Sequence, residues 1–457
     1  MAIACTATTS FRTRMARSSS SITSSSDDEK EALDGRCAMR VGIVADDLTG
    51  AADSLVQFRS QGWESHLLVA EDSAMTCGAV PCVVSRSLDS RSLANDLAAQ
   101  ATAQTVSEMV RDGFDRVYVK VDSTMRGSIP GQIRGALDAW SRKAPAAFSV
   151  ICPAYPGMGR VIVDGKLLVK GVPLQLSPAG SDPVDPVRSS ELADLVPGAK
   201  LVRVAPDANG FIAELRRLGT PGSYVVVEAQ REEDMQAIAR AIDFFGSEVV
   251  PVGSAGLAGH LAGVWRARGQ GMEPPRIMRR APGRVVVAVT SVNEVSLRQA
   301  DRLMQDWPAV AARRFLDPGL GDRPVPPRWA RDVAGLGEPP VLLLQPRPGS
   351  SSGGGARASA PLVARSIATA VREFVLHGTG VSGLVLVGGD GARAVLAELG
   401  AQAVRLEGTL AEGVPWGRLV GGVAAGKTIV TKAGGFGEVD VLSSIVSTMI
   451  GMDGKYQ

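Results

Sequence analysis

The stretch VGIVADDLTGAADSL, residues 41–55, decides the fold class. An apolar run ends directly in the carboxylates Asp46 and Asp47, and a segment with helical spacing follows a Thr-Gly pair. Because a run that is apolar throughout is typical of a strand buried on both faces, this order predicts a strand, a turn and a helix. Two like charges beside a buried strand repel each other, so the question is what else in the chain gives them a role.

The same order of strand, turn and helix repeats along the chain. RVYVKVDS, VVVEA and SVICPAYP are β-rich runs, and SLANDLAAQATAQTVSEMVRDG and EEDMQAIARAIDFFG show helical spacing between them. This alternation predicts an α/β protein with mostly parallel sheets flanked by helices.

A chain of 457 residues is long enough for two domains. The Gly-, Pro- and Arg-rich stretch RARGQGMEPPRIMRRAPG breaks the alternation as a linker does, and a new alternation begins with RVVVAV. We therefore predict an α/β domain at 39–268, a linker at 269–283 and a second α/β domain at 284–457. Ligands commonly bind in the cleft between two such domains, so we expect the active site there.

Composition argues against several classes of function. The formal net charge is +2 and 4% of the residues are aromatic, which does not favour nucleic acid as a partner. No apolar run approaches the roughly 20 residues of a membrane span, so no membrane is expected as a partner. The five cysteines include no CxxC pair and the three histidines are far apart, which argues against zinc and indicates a reducing compartment, here the cytoplasm.

Residues 1–38 differ from the rest of the chain. They are rich in Ser and Thr and have no acidic residue before Asp27, a composition that cannot build a core. It superficially resembles an organellar transit peptide. Because Met39 directly precedes the first predicted strand, we favour a disordered or mis-assigned N-terminal extension.

Polar residues follow three predicted strands of the first domain, where working residues of α/β sheets collect. Asp46 and Asp47 could act as a general base or bind magnesium, and the alternative is that both cap the next helix. The loop after RVYV and the end of VVSRSL add cations, which predict a site for a small carboxylate or phosphate. A cap for a helix near Ser128 is the alternative there. The residues of this predicted anion site are Arg86, Lys120, Asp122, Ser123, Thr124 and Arg126.

Glycine-rich turns in the second domain indicate a nucleotide site. Glycines let the backbone approach phosphate oxygens, and helix N-termini favour negative charge. VAVTSVNEVS, LVLVGGDGARAVL and TIVTKAGGFG contain the residues concerned: Ser291, Gly388, Gly389, Asp390, Gly391, Gly434, Gly435 and Gly437. GGVAAGKT at 421–428 also fits the P-loop pattern, but the β-rich IVTK follows it where a helix is needed, so we predict a tight turn.

Together these segments resemble the four-carbon acid sugar kinase family, whose members phosphorylate tetronates such as threonate, erythronate and 3-oxo-tetronate. VADDLTGAAD, KVDSTMRG, PAYPGMGR, VDGKLLVKGVPL, VGSAGLA, VGGDGARAVL, GVPWGRLVGG and TKAGGFG occur in the family's order. The resemblance implies a sugar-acid-binding domain at 39–268 and a nucleotide-binding domain at 284–457, with ATP and Mg²⁺ as cofactors. It implies phosphorylation of the terminal hydroxyl of a four-carbon sugar acid.

The resemblance also implies roles for single residues. Asp46 or Asp47 would orient or deprotonate the hydroxyl or hold Mg²⁺, and which of them does so stays open. Asp47 and the predicted anion site would contact the sugar acid, and the glycine-rich turns with Ser291 would contact ATP. Two departures concern ATP: the family's usual Gly-Ser reads Thr290-Ser291, and its usual Gly-Gly-Asp-Thr has Gly391 in the Thr place.

Two other functions fit parts of the sequence. A non-enzymatic sugar-acid sensor would keep the anion site and lose nucleotide affinity, which Gly391 makes conceivable. An NAD(P)-dependent oxidoreductase would need GxGxxG after the first strand, and ADDLTG lacks those glycines. A small sugar acid and ATP are the expected partners, and a homodimer stays open.

Overall fold

The computed structural model describes residues 38–70, 73, 80–182, 185–266, 276–278, 280, 283–316, 339–347, 356–377 and 380–451. Residues 1–37 and most of the predicted linker at 269–283 lie outside these ranges, so what the sequence suggests for them stays a prediction. We refer to residues 38–266 as the N-terminal half and to residues 276–451 as the C-terminal half.

Strands and helices alternate along both halves. The strands are β1 (Arg40–Ala45), β2 (Glu64–Leu68), β3 (Cys82–Ser87), β4 (Arg116–Lys120), β5 (Phe148–Cys152), β6 (Arg160–Val163), β7 (Lys166–Val169), β8 (Val172–Pro173), β9 (Lys200–Arg203), β10 (Tyr224–Glu228), β11 (Val249–Gly253), β12 (Arg284–Val289), β13 (Ala311–Leu316), β14 (Val341–Pro346), β15 (Val381–Val387), β16 (Ala403–Ala411), β17 (Val414–Val420) and β18 (Thr428–Lys432). The α-helices are α1 (Leu48–Ser60), α2 (Asn95–Arg111), α3 (Ile129–Trp140), α4 (Leu192–Leu195), α5 (Ala208–Leu218), α6 (Glu232–Phe245), α7 (Ala255–Trp265), α8 (Glu294–Asp306), α9 (Ala356–His377), α10 (Gly389–Glu398) and α11 (Val441–Ile450). Among the described residues, no helix combines the length and the hydropathy needed to cross a membrane.

Fifteen strands form one sheet in the order β13-β14-β12-β15-β18-β17-β16-β2-β3-β1-β4-β11-β5-β10-β9, and β6, β7 and β8 form a small second sheet. Neighbours in the large sheet are parallel except where β16 and β17 take part. The predicted α/β fold with a mostly parallel sheet is therefore confirmed. The two halves share this sheet because β16 pairs with β2, which gives the edge of the N-terminal strands hydrogen-bond partners.

Apolar runs buried on both faces explain why these segments are strands. All six residues of β12 are buried, and so is β1 from Val41 to Ala45. Helix α1 covers the sheet with Ala51, Leu55 and Phe58, each fully buried. Burial of a side chain such as Leu55 or Phe58 stabilises the fold by about 1.5–3 kcal/mol.

Parallel register brings the ends of four strands to one edge of the sheet. Ala45 at the end of β1 lies opposite Ser87 of β3 and opposite Lys120 of β4. Lys120 in turn lies opposite Gly253 of β11. Residues that follow these strands therefore collect in one place, as expected for an open parallel sheet.

The P-loop-like match at 421–428 forms the turn between the antiparallel strands β17 and β18. Thr428 already belongs to β18, so no helix begins within these described residues. The Nζ atom of Lys427 donates a hydrogen bond to the carbonyl of Val381 at 2.6 Å, and Lys427 does not line the candidate cavity described below. The prediction of a tight turn is confirmed.

Candidate active site

A cavity of about 600 Å³ opens at the strand ends of the N-terminal half. Helix α1 forms one wall, with cavity-facing residues at helical spacing from Thr49 to Gln57. The β16–β17 hairpin and the loops after β12 and β18 contribute the residues from the C-terminal half. The polar and charged lining residues are Asp47, Thr49, Asp53, Gln57, Arg91, Lys120, Asp122, Ser123, Arg126, Tyr155, Arg160, Ser254, Asn293, Thr409 and Glu412.

Asp46 lies beneath the cavity, fully buried, and is held by cations. Its Oδ2 accepts hydrogen bonds from Arg91 Nε at 2.9 Å and Nη2 at 2.6 Å, and Lys120 Nζ lies 3.8 Å from its Oδ1. Burial, followed by the negative charge of Asp47, raises the pKa of Asp46 to about 6, although Lys120 and Arg91 oppose the shift. Asp46 is therefore an internal anchor for Arg91.

Asp47 caps helix α1. Its Oδ1 accepts a hydrogen bond from the Gly50 backbone N–H at 2.7 Å, and its Oδ2 lies 3.0 Å from Arg91 Nη2. The helix-cap alternative thus describes Asp47, although this residue also lines the cavity. Arg91 joins both carboxylates, which explains how two adjacent acidic residues can follow a buried strand.

Lys120 points at the start of α1. Its side chain is 7% exposed, and no hydrogen bond donated by its Nζ is found among the described residues. A side chain on Gly50 would place its Cβ 2.4 Å from this Nζ, so glycine at position 50 lets Lys120 approach the helix closely. The structure therefore brings a buried cation without a close carboxylate partner into the cavity.

The rest of the loop after β4 is held by its own ion pairs. Asp122 accepts hydrogen bonds from Arg126 Nε at 2.7 Å and from the Thr124 hydroxyl, and Arg126 Nη1 donates to Asp182 at 2.8 Å. Burial would raise the pKa of Asp122, but Arg126 and these hydrogen bonds outweigh it and hold the pKa well below its usual range. Asp122 and Arg126 line the cavity with Ser123, whereas Thr124 faces Asp122.

Arg86 is placed elsewhere. Its Nη1 lies 3.3 Å from Glu108 on α2, and it does not line the cavity. Arg160, in the PAYPGMGR motif, supplies a guanidinium to the cavity instead. It donates to the Met158 carbonyl at 2.8 Å, and its Nε is buried without a hydrogen-bond partner in the described part of the chain. A substrate role for Arg86 stays a prediction that this arrangement does not favour.

The predicted nucleotide residues of three separate segments meet. A Cβ on Gly434 would lie 2.2 Å from Ser291 Oγ, and a Cβ on Gly388 would lie 3.2 Å from the Ser291 backbone nitrogen. Gly388 and Gly437 have φ values of +107° and +83°, which favour glycine. Gly435 lines the cavity itself, whereas Gly388, Gly389, Asp390 and Gly391 lie at the start of α10 beyond its lining.

The two residues that depart from the family pattern, Thr290 and Gly391, lie against each other. A Cβ on Gly391 would lie 1.9 Å from Thr290 Oγ1 and 2.2 Å from Thr290 Cβ. The Thr290 hydroxyl donates to the Val387 carbonyl at 2.9 Å, which fixes the side chain there. Because the two side chains would overlap, a Thr at position 290 requires glycine at position 391.

The loop after β18 is fixed from below. Lys432 is buried, and its Nζ donates to the carbonyls of Ala433 at 2.7 Å and Phe436 at 2.8 Å. Gln299 Nε2 donates to three successive carbonyls of residues 436–438, and Ser296 Oγ donates to Gly434 at 2.6 Å. Burial lowers the pKa of Lys432 to about 8. These side chains hold the glycines in place without entering the cavity.

Comparison with known proteins identifies the family. A family model described as a sugar-binding N-terminal domain matches residues 41–261, and one described as a nucleotide-binding C-terminal domain matches residues 286–442. A D-threonate kinase of Bordetella bronchiseptica is 40% identical over 413 residues, which cover 88% of this chain and 95% of the relative. The chain belongs to the four-carbon acid sugar kinase family.

Other relatives agree with this assignment. A 3-oxo-tetronate kinase of Brucella melitensis is 26% identical over 422 residues, which cover 87% of this chain and 93% of the relative. A solved structure of a Haemophilus influenzae protein has a TM-score of 0.68 at 22% identity and covers 90% of this chain and 100% of that one, which supports the fold. The resemblance drawn from eight sequence motifs is therefore confirmed.

In this four-carbon acid sugar kinase, contacts also tie α10 to the N-terminal strand ends. Arg393 Nη2 donates to Ser87 Oγ at 3.0 Å, and Arg393 pairs with Asp89. A Cβ on Gly389 would lie 3.4 Å from Thr49 Oγ1. The glycine-rich turn at the start of α10 is therefore next to the start of α1 and the cavity.

Four charged residues that line the cavity were missed by sequence reasoning in different ways. Arg160 and Asp53 lie inside the quoted motifs PAYPGMGR and VADDLTGAAD, so the motifs gave a signal for both. Arg91 lies in no motif, and only the fold places it against Asp46. Glu412, at the β16–β17 turn, reaches the cavity because β16 pairs with β2, and no local sequence pattern predicts that pairing.

Proposed function

We propose that this protein, an ATP-dependent kinase of four-carbon sugar acids, phosphorylates the terminal hydroxyl of D-threonate. The proposal of D-threonate rests on the relative with 40% identity, whereas the 3-oxo-tetronate kinase is 26% identical. The observation that carries the rest of the proposal is the 600 Å³ cavity, lined by N-terminal cations and by loops of the C-terminal half. Because ATP and sugar acids are metabolites of the cytoplasm, we expect the enzyme to act there.

The carboxylate of the sugar acid would bind to Lys120 and Arg160. Four cations line the cavity, and two of them, Arg91 and Arg126, already pair with carboxylates of the protein at 3.0 Å or less. Lys120 has no carboxylate oxygen closer than 3.8 Å, and no ion pair of Arg160 is found in the described ranges. A small anion therefore finds in these two side chains the cations with the weakest ties to the protein's own carboxylates.

ATP would bind to the meeting point of Ser291, Gly388 and Gly434. The N–H groups of Ser291 and Gly388 themselves donate to the carbonyls of Val387 and Lys432, so the backbone donors proposed for phosphate oxygens are those of the first turn of α10, which directs its N-terminus toward the same place. The described residues contain no group of three or more His, Cys, Asp or Glu that could hold a metal ion. We therefore propose that Mg²⁺ enters with ATP and is bound mainly by the phosphates, as is common for this ion.

Catalysis then consists of positioning and charge neutralisation, because phosphoryl transfer needs little covalent chemistry from the protein. With the carboxylate held by Lys120 and Arg160, the far end of a four-carbon chain would extend toward the C-terminal loops. Walls from both halves limit the water that could compete as acceptor.

A coupled assay of ADP release tests the proposal. Purified protein with Mg-ATP should release ADP with D-threonate, and D-erythronate and 3-oxo-tetronate should give lower kcat/KM. Preference for one of these two would contradict the proposal of D-threonate alone. ADP release at the same background rate with all three acids, by a folded protein, would contradict the kinase activity itself.

A further inference from the structure

Asp53 is a carboxylate that the fold leaves without a partner. It lies on α1 on the face that lines the cavity, with Thr49, Gly50 and Gln57. No hydrogen bond or ion pair of its side chain is found among the described residues. Its side chain is half-buried in the cavity wall, where the desolvation disfavours its charged form, so a charge there costs free energy of folding unless something offsets it.

The other carboxylates around the cavity floor are committed. Asp46 is bound by Arg91, Asp47 caps α1 and also meets Arg91, and Asp122 is bound by Arg126. Asp46 is fully buried and does not line the cavity, and both oxygens of Asp47 already have partners in the Gly50 N–H and Arg91. For Asp122, Arg126 stabilises the charged form and holds the pKa well below its usual range. Asp53 differs from all three because its oxygens are available to a ligand.

We propose that Asp53, rather than Asp46 or Asp47, is the catalytic base that accepts the proton of the sugar-acid hydroxyl. This inference rests on the proposed kinase function. The hydroxyl oxygen forms a bond to the γ-phosphorus while the bond between that phosphorus and the β–γ bridging oxygen breaks. ADP leaves with the electron pair of that bond, the hydroxyl proton moves to an Asp53 oxygen, and water removes it before the next turnover.

The surroundings tune Asp53 for this role. Burial is the largest cause that raises its pKa, to about 7; Lys120 lowers it, while Asp47 and Glu412 raise it further. The groups that face it come from four elements: Lys120 from β4, Asp47 from the loop after β1, Glu412 from the β16–β17 hairpin and Tyr155 from the loop after β5. A base with a pKa near the working pH combines a deprotonated population with useful proton affinity.

The sequence keeps a half-buried carboxylate at position 53 although no hydrogen bond or ion pair to it is found among the described residues. Natural proteins keep local features that cost stability mainly at functional sites. An Asn at position 53 would have nearly the same shape without the charge. Asp53→Asn should therefore keep the cavity and the fold while removing the base.

The test compares turnover, binding and stability of Asp53→Asn with those of the wild type. We expect kcat to fall by about 100-fold or more, the range for loss of a general base, with dissociation constants for D-threonate and a non-hydrolysable ATP analogue close to wild type. The melting temperature should be unchanged or higher. Asp53→Glu should retain part of the activity, and Asp207→Asn, at the exposed cap of α5, should behave as wild type.

The pH profile gives a second readout. The wild-type kcat/KM should rise with pH through about 7, because Asp53 must be deprotonated to accept a proton, and Asp53→Asn should lose this limb. An active Asn variant, the same limb in that variant, or loss of ligand binding together with activity would overturn the assignment. A folded wild type that phosphorylates no tetronate would overturn the proposed function and, with it, this inference.

Discussion

The two sides of the cavity differ in the chemical groups that they offer to a ligand. Seven charged side chains line it from the N-terminal half: Asp47, Asp53, Arg91, Lys120, Asp122, Arg126 and Arg160. From the C-terminal half only Glu412 is charged among the described lining residues, and the nearby turns consist largely of glycine. In the proposed binding mode, side-chain charges would hold the small sugar acid, whereas backbone N–H groups would hold the triphosphate.

This difference predicts opposite sensitivities to mutation. On the N-terminal side, removal of one side chain removes a charge that nothing replaces. On the C-terminal side, addition of a single methyl group brings atoms into overlap, because Cβ atoms on Gly434 and Gly391 would lie 2.2 Å and 1.9 Å from existing side-chain atoms. Truncation should therefore damage the first region and enlargement the second.

Lys120→Ala gives the largest expected effect. Loss of a buried charge partner costs about 2–5 kcal/mol, so kcat/KM for D-threonate should fall by about 30-fold to 4000-fold. The KM for ATP should change little. Steady-state kinetics for both substrates check this, with Lys166→Ala as the control because Lys166 is half exposed and lies outside the cavity lining. Full activity of the Lys120 variant would show that Lys120 does not bind the substrate carboxylate.

A pair of changes at Thr290 and Gly391 tests the C-terminal side. Gly391→Thr alone should raise the KM for ATP by about tenfold or more, since overpacking typically costs 1–3 kcal/mol. Combining it with Thr290→Gly should recover most of the loss because one Thr side chain then occupies the shared space. Isothermal titration with ATP across the double-mutant cycle measures the coupling. Independent, additive effects would show that the two positions do not share space.

The fold class, the strand-end residues of the cavity and the glycine-rich turns could all be predicted from the sequence, each for its own physical reason. The fold class followed from apolar runs that alternate with helical spacing, and strand ends at one edge explain why Asp47, Lys120 and Asp122 line one cavity. Convergence of Ser291, Gly388 and Gly434 followed from glycine in strand–turn–helix contexts.

Other features could not be predicted because they depend on distant pairings. The single sheet arises from pairing between β2 and β16, which lie more than 300 residues apart in the chain. Arg91 has no local pattern, yet it binds both Asp46 and Asp47. For the same reason the sequence could not decide which acidic residue stays unpaired, and Asp53 was overlooked beside the more conspicuous pair.

A smaller effect is expected on the pH dependence of stability. The pKa of Asp53 is raised in the folded state, so the folded protein holds this proton more tightly and its stability falls as pH rises through about 7. Asp53→Asn cannot titrate. Its melting temperature should therefore exceed that of the wild type more at pH 8 than at pH 5, by an amount on the order of a few degrees. The same difference in melting temperature between variant and wild type at both pH values would contradict the unpaired state of this carboxylate.

The smallest effect is expected at Lys427. Its resemblance to a P-loop lysine is confined to sequence, since its Nζ binds the Val381 carbonyl within the fold. Lys427→Ala should keep kcat and the KM for ATP and lose about 1 kcal/mol of stability with that hydrogen bond. Kinetics and thermal denaturation check both. A variant that folds but is inactive would indicate that Lys427 binds the nucleotide as a P-loop lysine does.

A crystal structure with D-threonate and a non-hydrolysable ATP analogue bound together tests the central claim most directly. The account predicts the carboxylate on Lys120 and Arg160, the triphosphate against Gly388 and Gly434, and the terminal hydroxyl oxygen about 3–3.5 Å from the γ-phosphorus. Ligands in two separate pockets, with the phosphate out of reach of every substrate hydroxyl, would contradict it.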